Sequence, residues 1–148
     1  MATSTLLQTL DSSANEMGIS ASARRQTETF LAGDAIAAND LVALDLTKSA
    51  TADKALYIKK ADGGAAEGLV VVGFALNTAA AGDTCEVTIA GVHQSANVAT
   101  VALGDRLKVS PTIGQAGVYG AGDTVPVIGY ALAVDVANIA PVFVIKQF

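Results

Sequence analysis

The sequence is poor in the residues from which most active sites and metal centres are built. It has one cysteine, Cys85, one histidine, His93, and no tryptophan. A single cysteine cannot form a disulfide within the chain, and a lone histidine without ligand-spaced partners does not match a zinc site. We therefore expect no metal, no cofactor and no internal cross-link.

Charge is also scarce. Charged residues make up 16% of the chain and hydrophobic residues 51%, whereas about a quarter of a soluble domain is usually charged. The net charge is −5, and the basic doublets are limited to Arg24-Arg25 and Lys59-Lys60. An acidic chain has no general attraction for phosphate backbones or anionic lipids. We expect binding to neither nucleic acid nor membranes, and burial of apolar surface against copies of the chain or a larger particle.

No segment has the pattern of a membrane span or a secretion signal. The apolar uncharged segment 68–82 is shorter than a span and is interrupted by Gly73, Asn77 and Thr78. The first residues contain no basic region followed by an apolar stretch. We expect a soluble protein made in the cytoplasm.

Residues 1–32 differ in composition from the rest of the chain and are interpreted as an extended N-terminal arm. They are rich in Ser, Thr and Ala, and Leu6, Leu7 and Leu10 share one face of a short helical turn. No second apolar stripe is long enough to bury the segment by itself. We expect the arm to become ordered on a partner, with Arg24 and Arg25 facing carboxylates.

Residues 33–148 are predicted to form an all-β domain, a compact barrel or sandwich of Greek-key or hairpin-repeat character. Short β-branched runs alternate with Gly-Asp, Asn-Asp and Ala-Gly turns. The predicted strands are Asp40–Leu46, Ala55–Lys60, Gly68–Leu76, Thr84–Ala90, Val98–Leu103, Arg106–Ser110, Thr124–Ala133 and Ala140–Lys146.

Two predicted strand segments, Leu69–Val72 and Val142–Ile145, are apolar on both faces, so both faces should be covered. In a domain of this size one covering layer could come from another subunit. We expect Val142, Val144 and Ile145 to form an oligomer interface.

Two internal similarities indicate repetition. A turn followed by a strand recurs at Asn39-Asp40, Gly82-Asp83, Gly104-Asp105 and Gly122-Asp123. In addition, residues 71–76 (VVGFAL) match residues 127–132 (VIGYAL), and the same offset places Gly82 on Asn138. One hairpin is therefore predicted to occur twice.

The candidate catalytic groups have simpler structural interpretations. Cys85 occupies an inward position on an alternating strand, where a thiol acts as a small hydrophobe. His93 is interpreted as a solvated or hydrogen-bonded side chain. The Gly-Asp pairs lack the alternating oxygen ligands of a calcium loop and are interpreted as turns. We predict that the protein is not an enzyme.

Several of these phrases resemble the capsid decoration (head cement) proteins of tailed phages, a family of small β-rich virion proteins. The likeness covers residue 33 to the C-terminus and excludes the arm. The resembling phrases are Gly73-Phe74-Ala75-Leu76, Ala80-Ala81-Gly82-Asp83, Val87-Thr88-Ile89-Ala90-Gly91, Gly104-Asp105-Arg106-Leu107 and Gly129-Tyr130-Ala131-Leu132.

The resemblance implies a β-barrel or sandwich, often trimeric, that binds the outer surface of a phage head and clamps neighbouring major capsid subunits. It carries no catalytic residues over to this chain. The alternatives are a tail-fibre or host-recognition β module, a minor head or connector protein, and a small trimeric nucleotide hydrolase. The last would need a carboxylate cluster or a phosphate loop, and the sequence shows neither.

Overall fold

The computed structural model describes residues 25–64 and 70–147. Within them the chain is almost entirely β, with one short helix. The elements are β1 Gln26–Ala32, β2 Leu41–Leu44, α1 Thr51–Leu56, β3 Tyr57–Lys60, β4 Val71–Ala75, β5 Thr84–Asn97, β6 Arg106–Val109, β7 Ala116–Val118, β8 Gly129–Ala131 and β9 Ile139–Val144. In this part of the chain no helix is long and apolar enough to cross a membrane.

The first five strands close into a barrel in the order β1-β3-β2-β4-β5, with β5 returning to β1. The β1–β3 pair is parallel and the others are antiparallel. Every strand contributes to a common interior, because alternate side chains of a strand point to one face. The cluster comprises Phe30, Ala32, Ile36, Val42, Ile58, Val72, Ala75, Ala79, Cys85, Val87 and Ile89. The predicted all-β barrel is confirmed.

The remaining strands repeat this arrangement. They pair in the order β5-β9-β8-β6-β7, and a parallel bridge between Val98 and Ala116 returns β7 to the end of β5. The two rings correspond strand by strand: β1 to the end of β5, β2 to β6, β3 to β7, β4 to β8, and the start of β5 to β9. The predicted repetition of one hairpin thus extends to a whole five-strand ring.

The repeated glycine of the VVGFAL and VIGYAL phrases has the same packing role in both rings. A Cβ on Gly73 would collide with the carbonyl oxygen of Thr88, and one on Gly129 would collide with that of Phe143. Glycine is therefore required where β4 approaches β5 and where β8 approaches β9.

The apolar core consists of two clusters, one inside the first barrel and one that lies between the barrels and fills the second. The interior of the second barrel joins residues on the outward face of the first, including Leu41, Ala43, Val71 and Phe74. Strand β4 is thus apolar on both faces, as predicted. Its second covering layer comes from the second barrel of the same chain, however, and not from another subunit.

The predicted boundary of the arm at residue 32 is wrong. Strand β1 runs antiparallel to β5 over six residue pairs, and Phe30 and Ala32 are buried. The strand is hard to recognise in the sequence because buried and exposed residues do not alternate along its first four positions, which are all exposed. The arm can extend no further than the residue before Gln26; residues 1–24 lie outside the described part of the chain.

Four predicted strands differ from the structure. The predicted strand Thr84–Ala90 continues as β5 to Asn97. Residues Thr51–Leu56 form a helix, since Ala52, Lys54 and Ala55 are good helix formers, and only Tyr57–Lys60 is extended. The predicted strand Val98–Leu103 does not form: Val98 makes a single β-bridge, and bends and a turn follow. The predicted strand Thr124–Ala133 is shorter in the structure, where β8 begins only at Gly129. Pro126, before it, has no N–H to donate to a neighbouring strand.

Candidate functional site

His93 lies within β5, where the two barrels meet, and the residue is 2% exposed. Its Nδ1 is 3.0 Å from Thr88 Oγ1 and its Nε2 is 3.1 Å from Asn39 Oδ1. With the amide oxygen as acceptor, Nε2 carries the proton and Nδ1 accepts from the hydroxyl. The ring also stacks on Phe74, with centroids 5.4 Å apart. The interpretation of His93 as a hydrogen-bonded side chain fits this geometry.

The imidazole is held in its neutral form. Burial and, to a smaller extent, the positive charge of Arg25 together lower the pKa of His93 from 6.5 to about 4. A ring that is neutral throughout the physiological range and bonded at both nitrogens is suited to fixing the position of its neighbours. Its contacts bind β5 to the turn before β2.

A second set of polar side chains lies at the same junction. Asn97 Nδ2 donates to Asp40 Oδ1 at 3.2 Å. Gln115 Nε2 donates to Asn97 Oδ1 at 3.3 Å and to the carbonyl of Val98 at 3.0 Å. These bonds link the start of β2 to the loop before β7. Sequence reasoning missed them, because these residues are distant in the chain and have no recognisable spacing.

The aspartates of the repeated turns cap their own backbone. The carboxylates of Asp40 and Asp105 accept the N–H three residues earlier, from Ala37 at 3.0 Å and Ala102 at 2.8 Å. Asp123 accepts that of Gly120 in the same way. The predicted turn chemistry accounts for all three. Among the described residues, no three His, Cys, Asp or Glu side chains are grouped to hold a metal ion.

Cys85 points into the first barrel and is fully buried. Burial raises the pKa of its thiol, and its sulfur lies 3.8 Å from the carbonyl oxygen of Asn77. Its position fits that of a small core hydrophobe. The thiol and the His93 ring have separate hydrogen-bond partners, so they do not form a nucleophile–base pair.

The residues predicted to contact the capsid lie mostly outside the described part of the chain. Leu6, Leu7, Leu10 and Arg24 are all in residues 1–24. Arg25 is half-buried immediately before β1, close enough to His93 to influence its pKa.

The predicted oligomer interface needs correction. Val142 and Val144 are 0% and 3% exposed and pack in the core of their own chain. They cannot reach a second subunit without unfolding β9. Ile145, just after the strand, is half-buried. The side chains of β9 that do face solvent are Ile139 and Phe143, because they alternate with the buried ones.

The exposed side of the hairpin formed by β8 and β9 is apolar. Tyr130 and Phe143 face each other on the two strands, the N–H of Leu132 bonds the carbonyl of Pro141, and Val136 pairs with Ile139. Together with Val134, the large side chains are exposed by 38–77%. We name this surface the outer apolar face: Tyr130, Leu132, Val134, Val136, Ile139 and Phe143.

Comparison with known proteins shows the fold and no family membership. No family model matches the chain, and no curated protein matches it. A solved structure does. The chain is similar to the N base of the head fiber protein gp8.5 of bacteriophage phi29, with a TM-score of 0.51 and 16% sequence identity. The match covers 82% of this chain and 94% of the phage chain. The likeness therefore extends over nearly the whole of the head fiber base.

Proposed function

We propose that this chain is a structural protein of a bacteriophage head, bound to the outer capsid surface, where it clamps neighbouring major capsid subunits. The observation that carries the proposal is the likeness of the fold to the base of a phage head fiber over 94% of that chain. The phrases shared with head decoration proteins, from Gly73 to Leu132, support the same class.

The architecture is consistent with a structural rather than an enzymatic role. Its buried polar side chains, His93 and Asp40 among them, form hydrogen bonds at the junction of the barrels. In the described residues, every buried side-chain nitrogen and oxygen has a partner. Such a satisfied interior favours rigidity, as expected of a protein that holds other subunits in place.

The proposed mechanism is selective binding to the expanded capsid. A protein that binds the expanded lattice and not its precursor adds its binding free energy to the expanded state. A homotrimer, the oligomer we favour, would engage several coat subunits at once, so that weak contacts multiply into avidity. The segment 1–24 would lie across the coat, with Leu6, Leu7 and Leu10 in a groove and Arg24 against carboxylates.

Two measurements test this proposal. The stained-gel ratio of this protein to the major capsid protein in purified particles should correspond to hundreds of copies per head. The protein added to empty heads should cosediment with expanded shells and not with precursor shells. Equal binding to both shells, or no binding, would contradict the clamping mechanism.

The second candidate is the base of a fiber, and the name of the solved neighbour favours it. A fiber base, a host-recognition module or a minor head or connector protein would each be present in fewer copies than a cement protein. Copy number therefore distinguishes these possibilities from the decoration role.

A further inference from the structure

The outer apolar face is unusual for the surface of a soluble protein. Single exposed hydrophobic residues are common, but a contiguous group of large ones marks an interaction site. Here six such side chains lie along one hairpin, from Tyr130 at 40% exposure to Val136 at 77%.

The internal repeat shows that the fold does not require apolar residues there. The hairpin between β4 and β5 has the same place in the first barrel. The offset that aligns Gly73 with Gly129 matches Val134 and Val136 with Thr78 and Ala80. The turn of the second hairpin is one residue shorter, so the strand pairings match Phe143 with Thr88 and Ile139 with Thr84. Thr78, Ala80 and Thr84 are also exposed, so only the second hairpin presents large apolar groups to solvent.

The repeat also shows what packs against the matching surface of the first barrel. Phe74 of β4 and Tyr130 of β8 occupy matching positions. Phe74 is fully buried, because the second barrel packs against the outward face of the first. Within residues 25–64 and 70–147, no further barrel packs against Tyr130. The face that a second barrel covers in one half is thus open in the other.

The charge distribution favours a second copy of the chain as the partner. The chain has a net charge of −5, so copies repel each other in general. Residues 124–145, however, contain one charged residue, Asp135, whose carboxylate accepts the N–H of Val101 at 2.9 Å. The nearest charge on a neighbouring strand is that of Arg106, which pairs with Tyr130 at the edge of the face. Two copies of the hairpin itself can therefore meet without placing like charges in contact, which would oppose association.

We propose that the outer apolar face is the contact through which copies of this chain associate in solution. The proposal goes beyond the proposed function and does not depend on capsid binding. It replaces the contact predicted at Val142 and Val144, which are core residues.

The first test exchanges the hairpin residues. The variant V134T/V136A/I139T gives the second hairpin the matching residues of the first. In sedimentation velocity between about 1 and 100 μM, the full-length wild type should form oligomers, and the variant should associate at least about tenfold more weakly. Circular dichroism verifies that the variant is folded. A wild type that stays monomeric, or a folded variant that associates equally well, would overturn the proposal.

The second test does not depend on the stability of that variant. Val136→Cys and Ala80→Cys place a thiol at matching points of the two hairpins, and both positions are exposed. The native Cys85 is buried and should react slowly with a maleimide. Raising the protein concentration should slow labelling several-fold in Val136→Cys and leave Ala80→Cys unchanged. If both variants respond alike, the face is not the contact.

Discussion

His93 and Asn39 are separated by 54 residues, and their side chains meet at 3.1 Å inside the junction of the two barrels. The contact joins the strand shared by both rings to the turn that starts β2. Because the ring is neutral and buried, the strength of this junction should depend on pH.

Protonation of His93 should destabilise the fold in mildly acidic solution. The native pKa is about 4, below the ordinary value of 6.5, so the unfolded chain takes up the proton first as the pH falls. Stability is fully present above pH 6.5 and is lost progressively toward pH 4, by about 3 kcal/mol in all. Urea unfolding across this range measures the loss.

The control for this prediction is His93→Gln, which keeps a hydrogen-bonding side chain but does not titrate. Its free energy of unfolding should lack the additional slope between pH 6.5 and 4. Carboxylates such as Asp45, whose pKa is lowered, titrate in both proteins and cancel in the difference. Parallel slopes for variant and wild type would show that His93 does not control the pH dependence.

Alanine at the repeated glycines should be destabilising. Gly73→Ala and Gly129→Ala each force a methyl group against a carbonyl oxygen of the neighbouring strand, and we expect a loss of about 2 kcal/mol or more in each. Gly122→Ala is the matched control, since a Cβ there meets nothing within 4 Å. Thermal and urea unfolding would compare the three, and a Gly73→Ala protein as stable as Gly122→Ala would contradict the packing described.

Adjacent residues of β9 should respond in opposite ways to truncation. Val142→Ala removes buried methyl groups and should lower the free energy of unfolding by about 1–3 kcal/mol. Phe143→Ala removes an exposed ring and should leave the fold nearly as stable while weakening association. Urea unfolding and sedimentation of both variants test this. The reverse pattern would mean that the faces of β9 have been assigned wrongly.

Two N-terminal truncations should separate the arm from the barrel. Removal of residues 1–24 leaves β1 complete, so the protein should fold but lose binding to phage heads. Removal of residues 1–32 takes β1 out of the ring, exposing the edges of β3 and β5, and should prevent folding. Circular dichroism and cosedimentation with heads measure the two outcomes. Undiminished head binding by the shorter truncation would exclude a role for the arm.

The sequence predicts the fold class because its turns and alternation are local signals. The Gly-Asp turns mark the strand starts at Thr84 and Arg106, and the VVGFAL and VIGYAL phrases reveal the repeat. The closing strand β1 escapes prediction because its partners, β3 and β5, are distant in the chain and its outward residues are polar. The lesson is that a barrel's closure depends on long-range pairing, which periodicity does not record.

The same limit of local sequence signals applies to the candidate surfaces. Apolar strands can be recognised from composition, but which face of each is buried within the chain cannot. Val144 and Phe143 are neighbours of similar character, and only the second barrel's core distinguishes them. The buried contacts of His93 join residues whose proximity exists only after both rings have closed.

The double use of β5 has a consequence for how the molecule comes apart. The first half of β5 pairs within one ring and its second half pairs within the other, so the backbone that closes one ring continues directly into the other. The halves should therefore melt in a single transition, and neither half expressed alone would retain a complete barrel. A load applied to one end of such a molecule is carried through a continuous strand to the other.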